Sequence, residues 1–257
     1  MQLNRMATPC TVYRLGLVEY QEAWAEQRRL VDACREDGQG HLLLLEHPPT
    51  YTFGARGKRE HLLLTEEALA ELGASVHRVD RGGDVTFHGP GQLVGYPILD
   101  LRRWSQGPLW YVRSLEAMLI DALSTFDIKA VRVPGRTGVW VGEAKIAAIG
   151  VRVSRGVTSH GFALNVDPDL DYFSKIIPCG LPDAAVTSMA EMLQTGGRGD
   201  APTRLRTPAQ QTPKMGAVMD AVVAAFARAF PVECSPAEHG IGLLGAAEEP
   251  PRVAASG

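Results

Sequence analysis

Short apolar runs separated by turn residues crowd the stretch between residues 76 and 166. Strands read at Val76–Val79, Leu93–Leu99, 128–133, 138–142, 144–153 and 158–166, with a helix over 109–126. Other helical patterns flank this block rather than alternate with its strands. One covers 19–36, with Tyr20, Ala23, Trp24, Gln27, Leu30, Val31 and Cys34 on a single stripe; others cover 184–193 and 213–230, the last with Pro213 suited to its first turn. That distribution implies an α+β (mixed α/β) fold, a central mixed, largely antiparallel sheet flanked by helices.

Upstream, residues 11–18 read as a strand, and the continuous apolar run His41-Leu42-Leu43-Leu44-Leu45-Glu46 as a buried one. His47 to Gly54 reads as a loop, and Thr65 caps a short helix that Gly73 ends. Residues 194–212 are polar and rich in Gly, Pro and Thr, the composition of a mobile segment. A single domain is expected over 11–232, with 1–10 and 235–257 as poorly ordered tails.

The formal charge of −3 gives no global attraction to nucleic acid or to an anionic membrane. No run approaches the roughly 20 apolar residues of a membrane span, and the first residues lack the apolar core of a secretory signal. Cys10, Cys34, Cys179 and Cys234 are too scattered for a C-x-x-C pair. A cytoplasmic, reduced protein with no nucleic-acid or membrane partner is the resulting expectation. Cys34 falls on the helical stripe and reads as core, whereas Cys10 and Cys234 look incidental.

Cys179 differs. It lies in Ile176-Ile177-Pro178-Cys179-Gly180-Leu181-Pro182, where the flanking residues break helix and strand alike. Such loops present chemistry. Lys145, between a turn and an apolar strand, could partner the thiol; it could equally be a strand-start lysine reaching solvent. The glycine-rich loop Arg81 to Gln92 lacks the G-K-[ST] ending of a phosphate loop and leads into a strand, so both common nucleotide motifs fail there. His88 and His160 have no short-spaced ligand partner, which argues against zinc, and no protease signature surrounds Cys179.

Several motifs in series carry a family resemblance. They are Glu46-His47-Pro48-Pro49-x-Tyr51-Thr52-x-Gly54, Arg81-Gly82-Gly83-x-x-Thr86-x-His88-Gly89-Pro90-Gly91-Gln92-Leu93-Val94-x-Tyr96-Pro97, Gly142-x-x-Lys145-Ile146-x-x-Ile149-Gly150, His160-Gly161-x-Ala163-Leu164-Asn165-x-x-x-Asp169-Leu170-x-x-Phe173 and Ile177-x-Cys179-Gly180. Together they resemble the octanoyltransferases of lipoate biosynthesis, from about Val12 to Leu193. The resemblance implies a fold similar to the catalytic domain of biotin and lipoate protein ligases. It implies transfer of an octanoyl or lipoyl group from acyl carrier protein to a lysine of lipoyl-domain proteins. The acceptors would be the lipoyl domains of 2-oxoacid dehydrogenase complexes and the glycine cleavage H protein. No cofactor and a monomeric enzyme are expected.

On this pattern Cys179 carries the acyl thioester and Lys145 is its catalytic partner. Arg81, Gly82, Gly83, Asp84, Val85, Thr86, Phe87 and His88, with Ala148, Ile149, Gly150, Gly161, Phe162 and Ala163, line the substrate pocket. Small residues, Ala147 among them, leave room for an acyl chain. Arg132, Arg136, Arg152 and Arg155 are read as a basic docking patch. The rival reading is an ATP-dependent lipoate or biotin protein ligase of similar fold.

Overall fold

The tetraleucine run 42–45 sits where the fold needs it most. All four leucines are fully buried in a central strand; Leu42 and Leu44 face one core, Leu43 and Leu45 another. A strand covered on both faces has no polar side, so its sequence does not alternate. The computed structural model describes residues 7–177, 185–194 and 212–238.

The strands are β1 (Thr8–Leu17), β2 (Gly40–Glu46), β3 (Thr50–Phe53), β4 (Ser75–Arg78), β5 (Val85–His88), β6 (Gln92–Ile98), β7 (Val131–Val133), β8 (Arg136–Val141), β9 (Ala144–Ser154), β10 (Val157–Asn165) and β11 (Val232–Pro236). The α-helices are α1 (Tyr20–Asp37), α2 (Glu66–Glu71), α3 (Pro108–Ser124), α4 (Met189–Gln194) and α5 (Met215–Ala229). Among the described residues, eight strands form the main sheet in the order β11-β1-β2-β6-β10-β9-β8-β7. The pairs β11–β1 and β1–β2 are parallel and the rest antiparallel, so the sheet is mixed and largely antiparallel. A second sheet, β4-β3-β5, has its own small core around Tyr51, Phe53 and Phe87.

Helices cover the main sheet on both faces. Helix α1 packs on β2, β6 and β10 with Ala23, Leu30 and Cys34, and ends at Gly38 in a left-handed conformation, its N–H capping the Cys34 carbonyl at 3.0 Å. Of the expected stripe, Trp24 and Val31 remain only half-buried. Helices α3 and α5 cover the other face with Leu115, Leu119, Val222 and Phe226. Thr65 caps α2 as its sequence predicts, accepting from Ala68 N at 3.3 Å.

Some expectations are corrected. The segment read as a loop over 47–54 contains β3, whose Thr-Tyr-Thr-Phe is wholly buried between β4 and β5. The Pro48-Pro49 pair masks a strand of β-branched and aromatic residues. Likewise β5 interrupts the glycine-rich loop. The helix expected from 184 begins at Met189, because Val186 instead pairs with Lys145 as a bridge. Pro213 precedes the Lys214 N-cap of α5 rather than occupying its first turn. The sheet extends past 11–232 on both sides: Thr8–Val12 pair with Val232–Pro236, which sets Cys10 opposite Cys234. Most of the polar segment 194–212, and the far end of the tail, lie outside the described residues.

Candidate active site

Where the α1 face of the main sheet meets the second sheet, a cavity of about 660 Å³ opens, inside the usual range for small-molecule sites. Ala148, Ile149, Phe162, Ala163 and Val94 give it an apolar lining, while Arg81, Asp84, His61 and His88 give it a polar one. Of the residues expected at a substrate pocket, Arg81, Gly82, Gly83, Asp84, Val85, Thr86, His88, Ala148, Ile149, Gly150, Gly161, Phe162 and Ala163 line this cavity. Lys145 lines it too.

Phe87 does not. Strand alternation turns it to the second core, where it stacks on Tyr172 at 4.4 Å between ring centroids. Ala147 is also turned away, into the main core. Cys179 lies outside the described residues.

Glycines let backbones touch here. A Cβ on Gly161 would lie 2.1 Å from the Gly95 carbonyl oxygen, and one on Gly150 would lie 3.0 Å from Arg81 Cδ and 3.1 Å from the Gly82 carbonyl. The loop carrying Arg81 is thereby laid against β9, with Gly82 N donating to the Val151 carbonyl at 2.9 Å. Arg81 is buried; its Nη2 donates to the Thr52 carbonyl at 2.7 Å and its Nη1 to the Gly82 carbonyl at 3.0 Å. A guanidinium fixed this way is a preorganised donor for a carbonyl or anionic group.

Behind the cavity lies a directional relay. His47 Nδ1 must donate to the Val18 carbonyl (2.7 Å), so its Nε2 accepts from the Tyr96 hydroxyl at 2.7 Å. The Tyr20 ring, which lines the cavity, lies 4.9 Å from the His47 ring between centroids. Burial pushes His47 down to about 4 and Tyr20 up to about 12, which keeps both neutral. His88 donates from Nδ1 to Gln92 Oε1 at 2.8 Å, and burial holds it well below the ordinary histidine range. Gln92 Nε2 bonds Asn165 Oδ1 (2.9 Å), whose Nδ2 bonds the Thr187 carbonyl (3.0 Å).

That last bond reaches the chain just beyond Cys179. Residues 185–187 are clamped to the backbone of Lys145: Lys145 N donates to the Ala185 carbonyl at 2.8 Å, and Thr187 N to the Lys145 carbonyl at 3.0 Å. On the other side, Ile177 N donates to the His61 carbonyl at 2.8 Å. His61 is braced by Asp84, Nδ1 to Oδ2 at 2.6 Å, while Asp84 Oδ1 accepts from Val85 N. Both anchor residues, His61 and Lys145, line the cavity. The Lys145 ammonium lies 4.9 Å from the Trp140 ring centroid, an attractive cation–π contact.

Comparisons with known proteins decide the family. Residues 19–227 match the lipoyl protein ligase A/B catalytic domain. An octanoyltransferase of Solibacter usitatus is 54% identical over 185 residues, 71% of this chain and 83% of its own. That of Gloeobacter violaceus is 45% identical over 229 residues, covering 88% and 93%. The chain belongs to the octanoyltransferase family. It is an acyltransferase, and its reaction is lipoyl or octanoyl transfer. Solved structures agree on the fold. A lipoate-protein ligase A bound with ATP has a TM-score of 0.68 at 14% identity, with 90% of each chain covered. The bi-partite lipoate protein ligase of Thermoplasma acidophilum scores 0.69 at 14%, covering 90% of this chain and 87% of its own. The chain therefore shares the fold of these lipoate protein ligases.

Other cavity residues escape a sequence reading. Trp140, Arg136, Tyr20, His61 and Val186 line it, yet lie on a core-like strand, a hairpin, a helix stripe, a short turn and the far side of Cys179. Tyr96 and Asn165 fall inside the motifs but carry no chemical signal of their own. The four arginines read as a docking patch divide between two hairpins, Arg132 and Arg136 on β7–β8 and Arg152 and Arg155 on β9–β10. Arg132 pairs with buried Glu116 at 3.2 Å, Arg136 lines the cavity over Trp140, and Arg152 pairs with Asp80. Arg155 sits on the β9–β10 turn, beside a different groove.

Proposed function

We propose that the enzyme moves an octanoyl group from acyl carrier protein to a specific lysine of a lipoyl-domain protein, through a thioester on Cys179. The observation that carries this reading is the anchoring of the chain on both sides of Cys179. Ile177 is tied to His61 and Ala185–Thr187 to Lys145, both at the cavity. Cys179 follows Ile177 by two peptide steps, and two steps reach at most about 7 Å.

The thiol proton passes from Cys179 to the Lys145 amine, and the thiolate attacks the carbonyl carbon of the donor thioester. The tetrahedral adduct collapses by breaking the bond to the carrier sulfur, which takes the proton back from Lys145. In the second half-reaction the acceptor amine attacks the Cys179 thioester and gives up a proton to Lys145. An amide forms and the Cys179 sulfur leaves, taking that proton from Lys145 and restoring the starting thiol and amine. One thioester replaces another in the first half, and an amide replaces a thioester in the second, so no nucleotide is consumed. The apolar lining of Ala148, Ile149, Gly161 and Ala163 accommodates the acyl chain, and buried Arg81 orients its polar head.

Lys145→Ala is expected to slow both half-reactions by at least about a hundredfold, the scale of a lost general base. Single-turnover rates measured separately for acylation and transfer check this; unchanged rates would remove Lys145 from the mechanism. The ATP-dependent ligase reading predicts product from free octanoate and ATP without any carrier-bound donor. The transfer reading predicts none.

A further inference from the structure

Next to the acyl cavity lies a second groove, of about 350 Å³, between α1 and the β9–β10 hairpin. Asp80 lines it, bonding at 2.7 Å the Nε2 of His160, a residue of the cavity, and pairing with Arg152. Four arginines and two aspartates line it, and the aspartates are already taken: Asp80 by Arg152, Asp32 by Arg35 at 2.7 Å. Arg28 and Arg155 have no carboxylate partner among the described residues. Arg28 is held over the Trp24 ring at 4.8 Å, on the groove wall. Arg155 occupies the left-handed region (φ 52) in the two-residue turn that it forms with Gly156 (φ 86). A long side chain is uncommon there.

The groove also contains a buried donor with nothing to bond. Gln27 is fully buried; its Oε1 accepts from His160 N at 2.8 Å, which leaves Nε2 as a donor without a partner among the described residues. Arg35 Nε is in the same state. Unmade buried donors are costly, and natural structures rarely leave them so. Two guanidinium groups without a carboxylate partner, one on α1 and one on the β9–β10 turn, give the groove a net positive lining that suits one occupant with several acceptor oxygens and negative charge.

We infer that this groove binds a phosphate-class oxyanion. Under the transfer reading above, on which this clause alone rests, a phosphate on the arm of the donor's carrier is one source; a free phosphate is the other.

The test follows the Gln27 side-chain amide by NMR in the full-length enzyme while inorganic phosphate is titrated at constant ionic strength against chloride. A saturable shift is expected, weakened at least about tenfold in the Arg28→Gln/Arg155→Gln double variant, whose changes are at the surface. No shift, or an unsaturated drift identical in the double variant, overturns the inference. Rates with octanoyl-pantetheine and its 4′-phosphorylated form then separate the sources. A higher KM in the double variant for the phosphorylated donor alone identifies the donor arm; equal KM values beside a saturable wild-type shift identify a free anion. Should neither donor acylate Cys179, the transfer reading fails while the titration still decides the groove.

Discussion

Lys145 is held from several directions. Its backbone is clamped by Ala185 and Thr187, and its ammonium rests over Trp140. Trp140 is itself fully buried, and the Arg136 guanidinium also lies 5.5 Å from its ring centroid. Lys145 is half-buried and lines the cavity, and the aromatic face stabilises its positive charge. His160 follows a different logic. Burial, and then the guanidinium groups of Arg81 and Arg152, push it down to about 3 in spite of the Asp80 carboxylate that its Nε2 bonds. A histidine so depressed is a poor base at neutral pH.

Hairpin β7–β8 depends on one buried carboxylate. Glu116 of α3 is fully buried, accepts from Arg113 at 2.7 Å and Gly138 N at 3.2 Å, and pairs with Arg132. It thereby ties the helix to the hairpin that carries Arg136 and Trp140. Both arginines are partly exposed and can turn to water, but the Gly138 amide is buried against Glu116. Glu116→Ala is therefore expected to cost about 1–3 kcal/mol, the scale of one buried unsatisfied group, readable as a lower denaturant midpoint with unchanged slope. An unchanged midpoint would mean that the carboxylate does not hold the hairpin.

Elements whose pattern is local were legible. The α1 stripe, the Thr65 cap and the buried β2 run all follow from neighbouring residues. Strand β3 was not, because its four buried residues are explained only by the β4 and β5 partners that enclose them. The clamp of 185–187 on Lys145 was hidden for the same reason, since nothing in Ala185-Val186-Thr187 specifies a bridge to a strand forty residues earlier. In the candidate site the reactive types and their glycines stood out, whereas Trp140 and Tyr20 looked like core, which in part they are.

Across the described residues, the sheet joins the first strand to the last by pairing β1 with β11, and the cavity forms where two sheets meet. Its surroundings carry several buried neutral histidines, which makes stability depend on pH. His47 and His160 titrate in the folded state near 4 and 3, and His88 lies well below the ordinary value. The unfolded chain takes up those protons near 6.5, so it binds more protons than the folded state between about 6.5 and 4. Stability is fully present above that window and falls as pH drops through it, by at most about 1.4 kcal/mol per pH unit for each histidine. His160→Asn, which suits the left-handed backbone at that position (φ 54), should reduce the slope by about one proton. A denaturant midpoint that does not change with pH across that window would contradict this account. Among the described residues no helix is long and apolar enough to cross a membrane.

The central claim is that Cys179 takes the acyl group. Intact-mass measurement after mixing the enzyme with octanoyl-acyl carrier protein, followed by peptide mapping, tests it most directly. One octanoyl adduct is expected, on the peptide containing Cys179 and absent from Cys179→Ser. An adduct that persists in Cys179→Ser, or efficient transfer to a lipoyl domain by that variant, would contradict it.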